Sequence, residues 1–227
     1  MEPEKERRYF KLLSFAMLVS LVFLILLVAA LAYTESQLKQ KKLEINGKAD
    51  VFSAKIHDLL QEHTFLLVNT ARRSLDSVDS FNDSFNALQT NINEVSAQIS
   101  TLYGPDLSNQ FRNLWNTETN IFVDYTVALK SQDPSANSTF SDSISKYEED
   151  TTKFWYNTSN SFPNLDKSKI NRLVINHVNN VKKSVDYWNA KDYPNYFSRL
   201  HDSYVQTGDY ADFIAQAMIN ANKNKFL

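Results

Sequence analysis

The stretch KSKINRLVINHVNNVKKSVDYWNA, residues 167–190, decides the fold class. Ile170, Leu173, Val174, Val178, Val181, Val185 and Trp188 recur at three- and four-residue intervals, the spacing of one face of an α-helix. The same period recurs on either side. It carries Phe52, Ile56, Leu59, Leu60, Leu67 and Ala71 over 49–75, and Phe85, Leu88, Ile92, Val95, Ile99 and Leu102 over 81–103. Phe111, Leu114, Trp115, Phe122, Tyr125 and Leu129 mark 107–131, and Phe140, Ile144, Tyr147, Phe154 and Trp155 mark 135–158. In 193–222 the apolar stripe reads Phe197, Leu200, Tyr204, Ile214 and Met218. Gly47, Gly104-Pro105, Pro134, Pro163 and Pro194 divide these segments, and Gly208 marks a kink in the last. No segment alternates with period two for long. Helices of ~20–25 residues joined by short links pack as antiparallel neighbours. The expected fold is all-α: an antiparallel bundle of about six helices over 49–227.

Upstream lies an apolar run without a charge, 12–33, that rises about 33 Å as a helix against a ~30 Å hydrocarbon layer. Lys5, Arg7, Arg8 and Lys11 precede it and Lys39, Lys41 and Lys42 follow. The basic residues give a small bias toward a cytoplasmic N-terminus. A cleaved signal peptide is the alternative, with Ala30-Leu31-Ala32 as its small-x-small site, but the run exceeds a usual signal-peptide core. The expected organisation is a short cytoplasmic N-terminus (1–11), a transmembrane anchor (12–33), a charged stalk (34–48) and an extracytoplasmic bundle (49–227). The lipid bilayer is the partner of the anchor, and a protein in the membrane or cell envelope is the expected partner of the bundle.

The formal net charge of −2 gives no general attraction for nucleic acid. The absence of cysteine excludes disulfides, thiolate metal sites and cysteine nucleophiles. Only three glycines occur, which disfavours loops that cradle phosphates. There is no His-Glu-x-x-His, no Glu-x-x-His and no Gly-x-Ser-x-Gly. No catalysis is expected.

Several apolar stripes contain one polar residue. His63 lies between Leu60 and Leu67, Asn91 between Leu88 and Val95, and Glu118 between Trp115 and Phe122. His177 lies between Val174 and Val181, and His201 beside Leu200. Imidazoles and a carboxylate are ligands for zinc, copper or iron, and bundle cores hold such sites between facing helices. Each taken alone reads as a buried polar group bonded to a backbone carbonyl or a water. His57 flanks its stripe and reads as a boundary residue. Tyr187, Trp188, Tyr193, Tyr196 and Tyr204 concentrate near the C-terminus, either as packing or as a docking surface.

Glu62-His63-Thr64, Asn91-x3-Val95-x3-Ile99-x3-Tyr103-Gly104, Phe111-x2-Leu114-Trp115 with Phe122-x2-Tyr125, Asn160-x2-Pro163-Asn164 and His177-Val178 occur in this order. Together they resemble an uncharacterised family of exported, all-helical bacterial proteins with repeated histidines. Some of these stand next to copper amine oxidase-like N-terminal modules. The resemblance covers 59–218 and implies an exported helical fold. The family's repeated histidines imply metal or ligand binding. His63, Asn91 and His177 match the pattern, whereas Glu118 and Gln206 stand where the family commonly has histidine.

Two functions follow as expectations. The first is a membrane-anchored extracytoplasmic interaction module, such as an accessory subunit of a membrane protein complex. The alternative is an extracytoplasmic protein binding copper or zinc through His63, Glu118 and His177, with His201 or Asn91 nearby.

Overall fold

The computed structural model describes residues 3–76, 79–157 and 165–226. Side chains of 3–19, 21–22, 25–26, 29 and 43–46 lie outside that description. All the described secondary structure is helical: α1 (Pro3–Asp76), α2 (Phe81–Tyr103), α3 (Pro105–Lys130), α4 (Ala136–Asn157), α5 (Lys167–Asn189) and α6 (Tyr193–Ala221), then a short 3-10 turn, Lys223–Lys225. The chain divides into two compact units, Met1–Lys48 and Ala49–Phe226.

The first unit is helical. Among the described residues no helix is long and apolar enough to cross a membrane. The expected anchor, 12–33, falls largely on side chains outside those described. So do Pro163 and the Asn160-x2-Pro163-Asn164 motif.

In the second unit, α2 to α5 each pack beside the helix that follows them. Links of a few residues force those neighbours to run antiparallel. Contacts at the two ends fix where α1 belongs. At one end Phe52 meets Phe226 edge-on, with ring centroids 5.5 Å apart, and Lys225 Nζ donates to the Leu102 carbonyl at 2.5 Å. At the other end the Ser74 and Thr126 hydroxyls hydrogen-bond at 2.9 Å, and Trp188 Nε1 donates to Asp76 Oδ1 at 2.9 Å. The core includes Leu60, Leu88, Ile92, Trp115, Phe122 and Val181, all buried.

Local chemistry sets the helix ends. A single residue, Gly104, joins α2 to α3 at φ 83°, a left-handed conformation that glycine adopts without strain, and Pro105 then starts α3 with its φ already helical. α3 and α5 stop in the same way. The Gln132 and Asp133 amides return to the Leu129 and Ala128 carbonyls, and the Lys191 and Asp192 amides return to those of Trp188 and Tyr187. This paired closure places Gln132 at φ 56° and Lys191 at φ 58°. Each aspartate then opens the next turn. Asp133 accepts from the Ser135 amide at 2.8 Å, and Asp192 caps α6 by accepting from the Asn195 amide at 3.3 Å.

One stripe differs from expectation. The buried face of α6 is Tyr196, Ser203, Thr207, Gly208, Tyr210, Ala211, Ile214, Ala215 and Met218. Phe197 is 62 % exposed and Tyr204 45 % exposed. Small residues explain the rotation. Ser203 and Thr207 return their hydroxyls to the carbonyls of Arg199 and Ser203, at 2.9 and 2.8 Å, and so enter the core satisfied. Gly208 leaves room for the His57 ring and the Gln61 amide of α1, which an added Cβ would approach to 2.9 Å. α6 runs unbroken through Gly208.

Non-glycine residues in the left-handed region cost roughly 1–2 kcal/mol, partly offset by the chain entropy of glycine. Lys191→Gly is expected to raise stability by about 0.5–1 kcal/mol, read as a higher urea midpoint with unchanged slope.

Candidate functional site

Five helices each send polar side chains into one cavity. They are His63 and Thr64 from α1, Glu118 from α3, Tyr147 from α4, His177 from α5, and Thr207 and Tyr210 from α6. With Leu60, Trp115 and Val174 they line a cavity of about 10 Å³. That is the space of one water-sized guest.

Glu118 is the hub. Its Oε2 lies 3.4 Å from His63 Nε2 and its Oε1 lies 3.1 Å from His177 Nε2. Glu118 and His63 are each 1 % exposed and His177 is 8 % exposed. Burial alone would push the Glu118 carboxyl up. The charge of His177, then its contact and those of His63, outweigh burial and bring the carboxyl down to about 2. For His63 the balance reverses: burial pushes its imidazole below its usual range despite the favourable Glu118 contact. Burial and the Glu118 charge together push the Tyr147 phenol well up.

The surrounding residues orient the hub. Thr207 Oγ1 donates to the Ser203 carbonyl, so toward His177 Nδ1, 3.4 Å away, it accepts. The ring's other nitrogen, Nε2, faces the carboxylate. Thr64 joins from α1, its hydroxyl 2.8 Å from that of Thr207. The His63 ring lies on Trp115 with centroids 3.9 Å apart, and Phe111 backs the indole at 4.4 Å. Trp155 Nε1 donates to the Tyr210 hydroxyl at 2.8 Å.

Some polar atoms in this shell lack hydrogen bonds of normal geometry, among them both ring nitrogens of His63 and Oε1 of Glu118. The imidazoles face the carboxylate itself rather than a common centre. Among the described residues no three His, Asp or Glu side chains form a ready-made metal site.

Of the five residues singled out in the sequence, His63, Glu118 and His177 meet. Asn91 does not line the cavity: its amide donates to the Leu59 carbonyl at 3.0 Å and to Glu62 Oε2 at 3.0 Å, which makes it a buried, backbone-bonded residue. His201 is exposed, because the buried face of α6 is the one carrying Ser203 and Thr207. Gln206 bonds to Asn180, away from the cavity. His57 is a boundary residue, its Nδ1 2.8 Å from Asp212 Oδ1. The sequence marks Tyr147 only as a stripe residue and Thr64 only within a motif, and does not single out Tyr210 or Thr207. The two tyrosines sit on apolar stripes as ordinary packing residues do, and the threonines carry no helical-period signal.

No protein-family model, curated protein or solved structure matches the chain.

Both low values act in one direction with pH. Unfolded chains take up a proton on His63 below about 6.5, while the folded cluster resists it. They take up another on Glu118 near 4.5, where the folded protein holds out to about 2. The stability these groups supply is present above those unfolded values and is lost as pH falls. Urea midpoints are expected to fall steadily from pH 7 to pH 3. Glu118→Gln should cost on the order of 3 kcal/mol at pH 7 and flatten the decline below pH 5.

Proposed function

We propose that this chain is a membrane-anchored extracytoplasmic helical-bundle module that binds one transition-metal ion in its core. The observation that carries the metal reading is the convergence of His63, Glu118 and His177 from three helices on one enclosed cavity. Two imidazole nitrogens and a carboxylate are ligands of catalytic zinc and of non-haem iron. The Thr207 hydroxyl beside His177 Nδ1 is the outer-shell partner that fixes a ligating ring. Nitrogen–oxygen separations of 3.1 and 3.4 Å are of the size found between neighbouring ligands of one ion. A bound ion would be held by the His63 and His177 imidazoles and the Glu118 carboxylate.

Anchoring is supported by the uncharged run 12–33, and the placement of the bundle outside the cytoplasm by the basic residues ahead of it. No catalytic role is assigned. A second reading, docking to a protein of the membrane or envelope, is supported by Tyr193, Phe197, Tyr204 and Val205, which α6 leaves exposed.

Full-length protein without a histidine tag, in mild detergent, is expected to bind zinc, copper or iron at one ion per chain by calorimetry and elemental analysis. His63→Ala/His177→Ala should abolish that binding. An affinity no better than ~10 μM in the wild type, with the variant merely less stable, would return the cluster to a structural role. A single monodisperse species of the intact chain in detergent would count against an obligate complex.

A further inference from the structure

We infer that Lys182 and Asn137 join in an intramolecular isopeptide bond that ties α5 to α4, with Asp186 as the proton carrier. The inference is independent of the metal reading and concerns side chains outside the core cavity.

Geometry is the first ground. Lys182 Nζ lies 3.0 Å from Asn137 Oδ1 and 2.8 Å from Asp186 Oδ2. The Tyr125 hydroxyl completes the cluster, 2.9 Å from Lys182 Nζ, 3.1 Å from Asn137 Oδ1 and 2.5 Å from Asp186 Oδ1. Lys182 and Asp186 stand one turn apart on α5, Asn137 in the first turn of α4, and Tyr125 on α3. A lysine–aspartate pair on one helix face needs neither Asn137 nor Tyr125. An amine held against the amide it attacks has the proximity that turns a slow bimolecular reaction into a unimolecular one.

The surroundings are the second ground. Tyr125 and Phe140 are buried, with ring centroids 4.6 Å apart. Lys182 Nζ lies 4.7 and 5.6 Å from their ring centres, so an aromatic floor keeps water from one side of the amine. A lysine that loses hydration gives up its proton more readily, and Asp186 is at hand to take it. Burial and the Asp186 charge keep the Tyr125 phenol protonated. It therefore supports the Asn137 carbonyl oxygen as negative charge develops there.

The reaction needs no co-reactant. Asp186 accepts a proton from the Lys182 ammonium, and the amine lone pair attacks Asn137 Cγ. Asp186 then relays a proton from the attacking nitrogen to Asn137 Nδ2, and the Cγ–Nδ2 bond breaks. Ammonia leaves and takes up the remaining proton, while Nζ and Cγ form a neutral amide. No electron is transferred. Asn137 is exposed, so the ammonia passes to water and the step runs one way. The bond joins residues 45 positions apart in a chain without cysteine, and closing that loop stabilises as a disulfide does.

The test is the mass of the full-length, tag-free protein, measured after denaturation, with a peptide map. Expected are a deficit of one ammonia per chain and a branched peptide joining Lys182 to Asn137. Lys182→Arg, Asn137→Ala and Asp186→Asn should each restore the full sequence mass and remove the branched peptide. Because the reading is made on denatured chains, it holds whether or not a variant is less stable. Wild-type protein at full sequence mass overturns the inference. So does a deficit that survives any of the three substitutions, or one without the branched peptide, as a succinimide at an asparagine gives.

Discussion

A carboxylate at the centre of a helical bundle costs several kcal/mol unless charge and hydrogen bonds surround it. Glu118 meets that demand only if His63 and His177 arrive at the same height from two other helices. The demand therefore reaches beyond the cluster. It fixes the register of α1, α3 and α5 together, since a one-turn slip of any of them would leave a buried charge without its partner. Purely apolar stripes tolerate such slips more readily, because leucine against valine differs little from valine against leucine. The polar cluster gives an otherwise forgiving core a single arrangement.

A second layer supports the first. Trp115 packs on the His63 ring, Phe111 backs the indole, and Trp155 backs Phe111 in turn. Thr207 orients His177 from α6, and Thr64 ties that hydroxyl back to α1. The consequence is an enclosed polar chamber with little freedom of rotation for its lining groups, the condition under which a small guest is selected by geometry and charge rather than by adaptation.

Much of this was legible in the sequence, and for identifiable reasons. The α5 stripe is built from large β-branched residues, so its phase, and with it the inward direction of His177, reads directly. The same holds for Glu118 between Trp115 and Phe122. The α6 stripe misled because its core face is made of Ser203, Thr207, Gly208 and Ala211, which carry little hydrophobic signal. Large exposed residues, Phe197 and Tyr204, carried the signal instead, and His201 was drawn inward with them. Asn91 was correctly placed inside, but a side-chain amide has a second use, the Leu59 carbonyl, that spacing does not reveal. That the three polar residues meet depends on the length and geometry of the links, which a single-chain period cannot express.

The bond between Thr64 and Thr207 joins residues 143 positions apart. The chamber therefore has a wall missing until the final helix is made. Emerging from a ribosome or a translocation channel, α1 presents His63 long before α6 is available to close over it. Contacts of this sequence separation are slow to form, because the loop entropy must be lost before they contribute. Maturation of the core is thus tied to the synthesis of α6: a polypeptide stopped short of it lacks the Thr207 and Tyr210 side of the chamber, whatever helices it has already assembled.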